Sequence, residues 1–495
     1  MIIKMLINAV DPEEYRVAII KDGLLDEFNI ETAAGEQKIG NIYKGVVEAI
    51  EPGFQACFIN FGGEKNGFLP ANEIHPEYYL ETRDLKKEQP HPSIDKILKK
   101  GQELIVQVTK EMPGRKGAQL TTYLSFASRY LVLMPGSTGG ISKKIEDEKE
   151  RERLKSIMNK LKVPEEIGYI VRTAAIKQNK RELSRDLNGL LRMWKNIKER
   201  VKKAPPSSLI HKEEDLCLRT LRDYFTSEIT EVLVDDRETF GKVKGYMKIV
   251  SPRHQRIVKL YKENRPIFAH YEIEKHIETI YSSKVTLKSG GSIVIDPTEA
   301  LISIDVNSGR GGREKDVETT AFKTNVEAAS EIARQLRLRD MGGLVVIDFI
   351  DMKHREHIRE IEKLVREETK RDRAKIAISH ISKFGLLELS RQRLMPSKQS
   401  RTFRTCHYCQ GRGIVPSVES ASVSFLRRIS MGVSKKGVVK VQGILPLDVA
   451  MYLQNRKRKE LAQLDSRYGI EIVLMGDPSL PLGGGNLEFL KESGS

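Results

Sequence analysis

Residues 291–352 read GSIVIDPTEALISIDVNSGRGGREKDVETTAFKTNVEAASEIARQLRLRDMGGLVVIDFIDM, and the reading of this stretch decides the fold. Two apolar runs, Ile293–Ile295 and Leu301–Val306, flank Asp296-Pro297. β-Branched residues outside and turn chemistry inside predict a hairpin. Phe322, Val326, Ala329, Ile332, Ala333 and Leu336 then recur at helical spacing, with a charged opposite face. They predict a helix that Gly342-Gly343 stops. Leu344–Ile350 reads as a short buried strand. Asp305 and Asp348 thus lie late in two strands separated by one helix, which puts both carboxylates at one sheet edge.

A carboxylate in so apolar a setting must be paired, protonated or metal-bound. Asn307, two residues past Asp305, is expected on the same face, and Asp351 on the opposite one. Mg2+ suits such a site, because it takes few ligands from protein and the rest from water and phosphate. The other reading is that the acids cap helices or pair with the many arginines. GRGGR (309–313) adds glycine backbone and two arginines able to hold a phosphate backbone. Arg334, Arg337 and Arg339 read as a solvated or interface face.

The totals narrow the partners. A chain of 495 residues exceeds one ordinary core, so several domains are expected. A formal net charge of +16 favours a polyanion, nucleic acid before anionic membrane. No segment approaches the apolar length of a membrane span, and the apolar start breaks at Asp11, unlike a signal peptide. Four cysteines make no disulfide framework, which points to a reducing cytoplasm.

Along the chain, residues 1–37 read as a β-hairpin around Asp11-Pro12 that completes a sheet with later strands. Residues 38–126 carry short strands and glycine turns that suit a small closed OB-fold barrel, with 76–98 as an inserted loop. Phe58 and Phe68, with Lys116 in a basic loop, either offer stacking faces and a phosphate contact or, for the phenylalanines, fill the core. In 127–217, Arg172 and Thr173 end a strand and make either a phosphate pocket or a surface salt bridge. Pro205-Pro206-Ser207-Ser208 reads as a linker. Cys406-His407-Tyr408-Cys409 is either half a zinc site or a redox pair. Cys57 and Cys217 stand singly elsewhere, so zinc there would need a second chain.

SIDVNSG (303–309), TNVEAASEIARQLRLRDMGGLVVIDFIDM (324–352), ISHISKFGLLELSRQRL (378–394) and CHYC (406–409) resemble the ribonuclease E/G family of bacterial endoribonucleases. The likeness runs in order from MLINA (5–9) to past the cysteine pair, and the chain's end points to the shorter, ribonuclease G branch. The resemblance implies a multidomain α/β and α+β fold. An RNase H-like subdomain (1–37 and 218–281) carries an inserted S1-type OB-fold (38–126) and a 5′-sensor region (127–217). A DNase I-like α/β catalytic domain (282–400), a zinc-link (401–414) and a small oligomerisation domain (415–495) follow. Asp235 and Asp236 are left to structural or capping roles.

It also implies roles. Asp305 and Asp348 hold one Mg2+, with Asn307 supporting them; Phe58, Phe68 and Lys116 contact RNA. Arg172, Thr173, Val132, Ser128 and Lys375 form the site for a 5′-monophosphate. Ser128 and Lys375 depart from the glycine and arginine of the family's pattern, which bears on the strength of sensing. Cys406 and Cys409 share Zn2+ across a dimer, and the assembly extends to a tetramer. The expected activity is single-strand endoribonucleolysis in rRNA processing and mRNA decay, at AU-rich segments, leaving 5′-phosphate and 3′-hydroxyl ends. A non-catalytic RNA-binding scaffold, or a metal-dependent DNase or phosphatase, is the alternative.

Overall fold

The computed structural model describes residues 2–32, 38–80, 93–111, 117–309, 317–393, 398, 402–435 and 437–491. The chain divides into two compact units, Met1–Lys398 and Gln399–Ser495. Among the described residues no helix is long and apolar enough to cross a membrane.

Unit one opens on an antiparallel meander of β1 (Ile3–Asn8), β2 (Glu14–Lys21) and β3 (Leu24–Thr32). A five-stranded barrel follows: β4 (Ile42–Glu51), β5 (Ala56–Asn60), β6 (Gly67–Pro70), β7 (Glu103–Lys110) and β8 (Gln119–Thr121), closed by β4 pairing with β7. Cys57, Ile59, Leu69, Leu104, Val106 and Leu120 fill it, as strand alternation requires. The expected inserted loop ends in a short helix, α1 (Ile94–Ile97), which seals the barrel with Ile94 and Ile97.

A second sheet holds β9 (Phe126–Ala127), β10 (Leu131–Pro135), β11 (Gly140–Ile141) and β12 (Ile167–Val171). It packs with α2 (Glu148–Lys160) and the long α3 (Lys180–Lys203). Residues 205–208 are not a free linker. They turn into β13 (Ser208–His211), which pairs with β4, and the Ser207 hydroxyl donates to the Asn60 carbonyl at 3.1 Å.

After α4 (Leu216–Tyr224), β14 (Ile229–Val234) returns to lie parallel to β1, followed by α5 (Arg237–Val250) and β15 (Val258–Leu260). The opening strands thus belong to a sheet completed by residues more than 200 positions away. Asp236 caps α5 through Thr239 N–H at 2.6 Å, and Asp235 accepts from Asn8 and Ala9, so both acids are structural. Short helices α6 (Ile267–His270) and α7 (Glu274–Tyr281) lead on.

The last sheet of the unit has the order β16 (Lys284–Thr286), β17 (Ser292–Pro297), β18 (Leu301–Asn307), β19 (Gly343–Asp348), β21 (Leu386–Arg391), β20 (Ile376–Ile378). Between β18 and β19 runs α8 (Val317–Arg339), and after β19 comes α9 (Arg355–Thr369). Ala328, Ala329, Ile332 and Leu336 press α8 onto Ile302, Ile304, Val345 and Ile347. Burying each large side chain there contributes about 1.5–3 kcal/mol.

The far side of α8 is not solvated; of the two readings of its arginines, the structure contains the interface. Arg337 and Arg339 are buried. Arg337 pairs with Asp26 at 3.0 Å, Arg339 donates to the Thr279 and Ser282 carbonyls, and Arg334 donates to the Leu25 carbonyl at 2.6 Å. α8 is therefore clamped between two sheets. A buried guanidinium is tolerated there because each has its acceptors.

Unit two contains α10 (Val418–Val433), β22 (Val438–Pro446), α11 (Leu447–Arg456), α12 (Arg458–Tyr468), β23 (Glu471–Asp477) and β24 (Asn486–Lys491). Its sheet runs β23-β22-β24, and Phe425, Ile429, Val441, Leu445, Val449 and Leu453 form its core.

Candidate active site

β18 and β19 are parallel, and their register pairs Asp305 with Asp348. Register partners on adjacent strands stand about 4.8 Å apart along the hydrogen-bonding direction and point to the same face. α8 and α9 cover the Ile302, Ile304, Ile347 face, so the odd residues of β18 and the even ones of β19 remain open. Asp305, Asn307 and Asp348 are all exposed. The expectation of buried carboxylates fails for this reason: the apolar runs alternate, and the acids fall on the uncovered face.

The Asn307 amide donates to Asp305 Oδ2 at 2.7 Å. Burial and the negative charges of Asp305 and Asp351 push the Asp348 carboxyl up from its ordinary value. Asp351 therefore acts on Asp348. It lies beyond the end of β19, where strand alternation no longer assigns it to the opposite face. Among the described residues neither Asp305 nor Asp348 forms an ion pair with a Lys, Arg or His. Among the described residues nothing compensates the negative charge of the site.

Gly309 packs directly on the Gly290–Gly291 turn. A Cβ on it would lie 2.6 Å from the Gly290 carbonyl carbon, so the close approach needs glycine. Residues 310–313, with both arginines of GRGGR, lie outside the described residues.

In the barrel, Phe58 and Phe68 are register partners on β5 and β6 with ring centroids 6.0 Å apart. Both are half-buried and alternate with the true core residues Cys57, Ile59 and Leu69. They sit on the outer wall, not in the core. Lys116 lies outside the described residues.

The third constellation is a charge network around the half-buried Arg172 and Asp223. Arg172 donates to the Ser128 carbonyl at 2.5 Å and to Asp223 at 2.7 Å. Arg373 reaches the other oxygen of Asp223 at 3.3 Å and lies over the Tyr224 ring. Burial pushes the Asp223 carboxyl up, but Arg373, Arg222 and Arg172 outweigh it and hold it well below the usual range. Ser128 donates its hydroxyl to Asp186, which also accepts from the Tyr130 and Leu131 N–H groups. Val132 follows in β10, Thr173 is exposed, and Lys375 is exposed two residues past Arg373. The salt-bridge reading of Arg172 is thus what the structure contains, with Ser128 brought to it directly. Sequence reading missed Asp223, Arg373 and Asp186. Each is a charged residue whose partner lies far away in the chain, so no local pattern marks it.

Cys406 is exposed, and Cys409 lies close enough for a thiol hydrogen bond. Backbone N–H groups of Gly413 and Gly411 lower the Cys409 thiol's pKa. Cys57 and Cys217 are core residues, their thiols pushed up to about 12 by burial.

Fold and site together define a multidomain α/β protein with an OB-type barrel and an open carboxylate site. Comparison with known proteins narrows this. The Ribonuclease E/G family matches residues 125–394, the S1 RNA binding domain 36–122, and the RNase E/G, Thioredoxin-like domain 405–487. The chain is 47% identical to ribonuclease E of Haemophilus influenzae over 95% of its own length and 50% of that protein. Identity is 45% to ribonuclease E of Escherichia coli, over 95% of this chain and 44% of that one. It is 38% to ribonuclease G of Salmonella typhimurium, over 87% and 88%. The chain spans about half the length of the ribonuclease E relatives it matches. It belongs to the ribonuclease E/G family. The expected leaning to the ribonuclease G branch draws no support from these identities.

Proposed function

We propose that the chain is a Mg2+-dependent endoribonuclease that cuts single-stranded RNA, in rRNA processing and mRNA decay in the cytoplasm. The observation that carries this reading is the register pairing of Asp305 with Asp348 on an open sheet face. Two exposed carboxylates without a cationic partner among the described residues fit a hard divalent ion. No third acid, His or Cys joins them among the described residues, so water and phosphate would supply the remaining ligands. When bound, Mg2+ supplies positive charge against the scissile phosphate and acidifies a coordinated water.

The chain's own residues do the rest. Asn307 fixes the orientation of the Asp305 carboxylate. Phe58 and Phe68 offer ring faces on which bases stack, and Lys116 adds a phosphate contact. Arg172 and Thr173, with Ser128, Val132 and Lys375, receive a 5′-monophosphate, so that RNA with this end is favoured. Arg172 has donors to spare beyond those given to Asp223 and Ser128. Cuts leave 5′-phosphate and 3′-hydroxyl ends. Cys406 and Cys409 supply half of a tetrahedral Zn2+ site that a second copy completes, in a dimer that pairs into a tetramer.

Matched RNA and DNA oligomers with and without Mg2+ test the reading. Cutting of RNA alone, and only with the ion, supports it. Binding without cutting would make the chain a scaffold, and equal cutting of DNA a general nuclease.

A further inference from the structure

The outer face of α3 has no part in the sites above. α3 carries nine Lys or Arg against three acids. Arg181, Arg185, Asn188, Arg192 and Lys195 follow one another at spacings of four and three, so they form one stripe along the helix. From Arg181 to Lys195 the stripe is about 21 Å long. Its four cations are exposed, and none forms an ion pair among the described residues. The stripe lines a shallow groove of about 710 Å3, and Arg192 joins it to a second of about 470 Å3 that continues to Arg200.

A solvated basic face is the ordinary explanation of such a stripe. Two features go beyond it. The cations are aligned and left without acids, although the chain has 68 Asp and Glu to place. The opposite face of the same helix is also tied to the Arg172 corner, because Asp186 holds Ser128 and the Tyr130 and Leu131 N–H groups. The stripe thus runs along the helix whose other face holds Ser128 of the corner assigned to the RNA 5′ end.

We propose that this face is a sequence-independent track for the phosphate backbone of RNA running outside the barrel. The proposal rests on the RNA-binding reading above. A row of unpaired cations on a rigid rod suits a polyanion. An anionic membrane suits it less, because an interfacial helix buries an apolar face in lipid. The apolar face of α3 (Leu183, Leu187, Leu190, Ile197) is already in the protein core.

The test uses the whole chain with Arg185→Gln, Arg192→Gln and Lys195→Gln combined. Gln keeps helix propensity, and the sites are exposed, so folding is preserved. Affinity for fluorescent oligouridines is measured against salt, one of about 10 nucleotides, within one OB barrel's reach, and one of about 40. For the long strand, the slope of log affinity against log salt should shrink by about two, at about 0.7 per lost contact. Affinity and cutting of the short strand should not change. An unchanged slope for the long strand overturns the track. So does loss of binding to phosphatidylglycerol vesicles with RNA binding intact, which would make the face a membrane surface. If the unmodified protein binds neither oligomer, the RNA reading itself falls and the track with it.

Discussion

Asn325 holds both backbone groups of Ile350. Its amide donates to the Ile350 carbonyl at 2.8 Å, and its oxygen accepts from the Ile350 N–H at 3.1 Å. Asn325 is fully buried in α8, and Ile350 lies two residues past Asp348. The helix that joins the two acidic strands thus also fixes the segment that leaves the second acid. Asn325→Ala should leave both groups unpaired and cost about 2–4 kcal/mol in urea unfolding. In the surviving folded fraction kcat should fall while RNA affinity holds, since Asp348 loses its support and the barrel does not. Unchanged unfolding and kcat would remove Asn325 from the site.

The acid pair itself is tested by Asp305→Asn and Asp348→Asn. Each keeps shape and removes one negative charge from an exposed position. Turnover should fall by more than about a hundredfold, with RNA affinity by anisotropy nearly unaltered. Near-normal turnover by either variant would sink the magnesium assignment.

How much of this was readable in advance depends on the range of the interaction. The strand, helix, strand order around Asp305 and Asp348 was legible because each element announces itself within a few residues. The exposure of the acids was not, because which strand face is covered depends on where two helices land. Whether Arg337 and Arg339 face solvent or an interface stayed open because their partners, Asp26 and the Thr279 and Ser282 carbonyls, lie far away in the sequence. The outward position of Phe58 and Phe68 follows from parity once Cys57 and Ile59 are known to face in, and composition alone could not fix that parity.

Arg172 is engaged by Asp223 and the Ser128 carbonyl, which sets up the prediction for the 5′ end. A substrate with a 5′-monophosphate should be cut faster than its 5′-hydroxyl twin. Arg172→Ala should bring the two rates together without changing the slower one. Equal rates in the unmodified protein would show that the corner senses no phosphate, with Ser128 and Lys375 the first positions to revert.

Stability should depend on pH through Glu214. Burial pushes its carboxyl up to about 7, with the charges of Glu213, Asp215 and Asp223 adding and Arg222, at 3.6 Å, offsetting part. One of its oxygens is buried without a hydrogen-bond partner. A carboxyl raised on folding holds its proton better in the folded chain. Its contribution is therefore complete below the ordinary value of 4.5 and lost as pH rises through about 7. Tm should fall across that window, and Glu214→Gln should flatten the fall. An identical pH profile for the variant would show that Glu214 titrates normally.

The cysteine pair carries the prediction for assembly. Cys406 and Cys409 are the only two of the four cysteines that are not core residues, and among the described residues no third ligand joins them. A tetrahedral Zn2+ therefore needs two copies of the pair, and metal analysis should give one zinc per two chains. The lowered Cys409 pKa favours the thiolate that such a site requires. Where a second chain completes the site, binding free energy becomes assembly free energy, and Cys406→Ser should lower both the zinc content and the mass by light scattering. Activity should fall alongside if subunit register supports the nuclease site. One zinc per chain would point to a self-contained site using His407. A Cys406→Ser variant unchanged in mass would separate assembly from the metal and leave the pair as a redox couple.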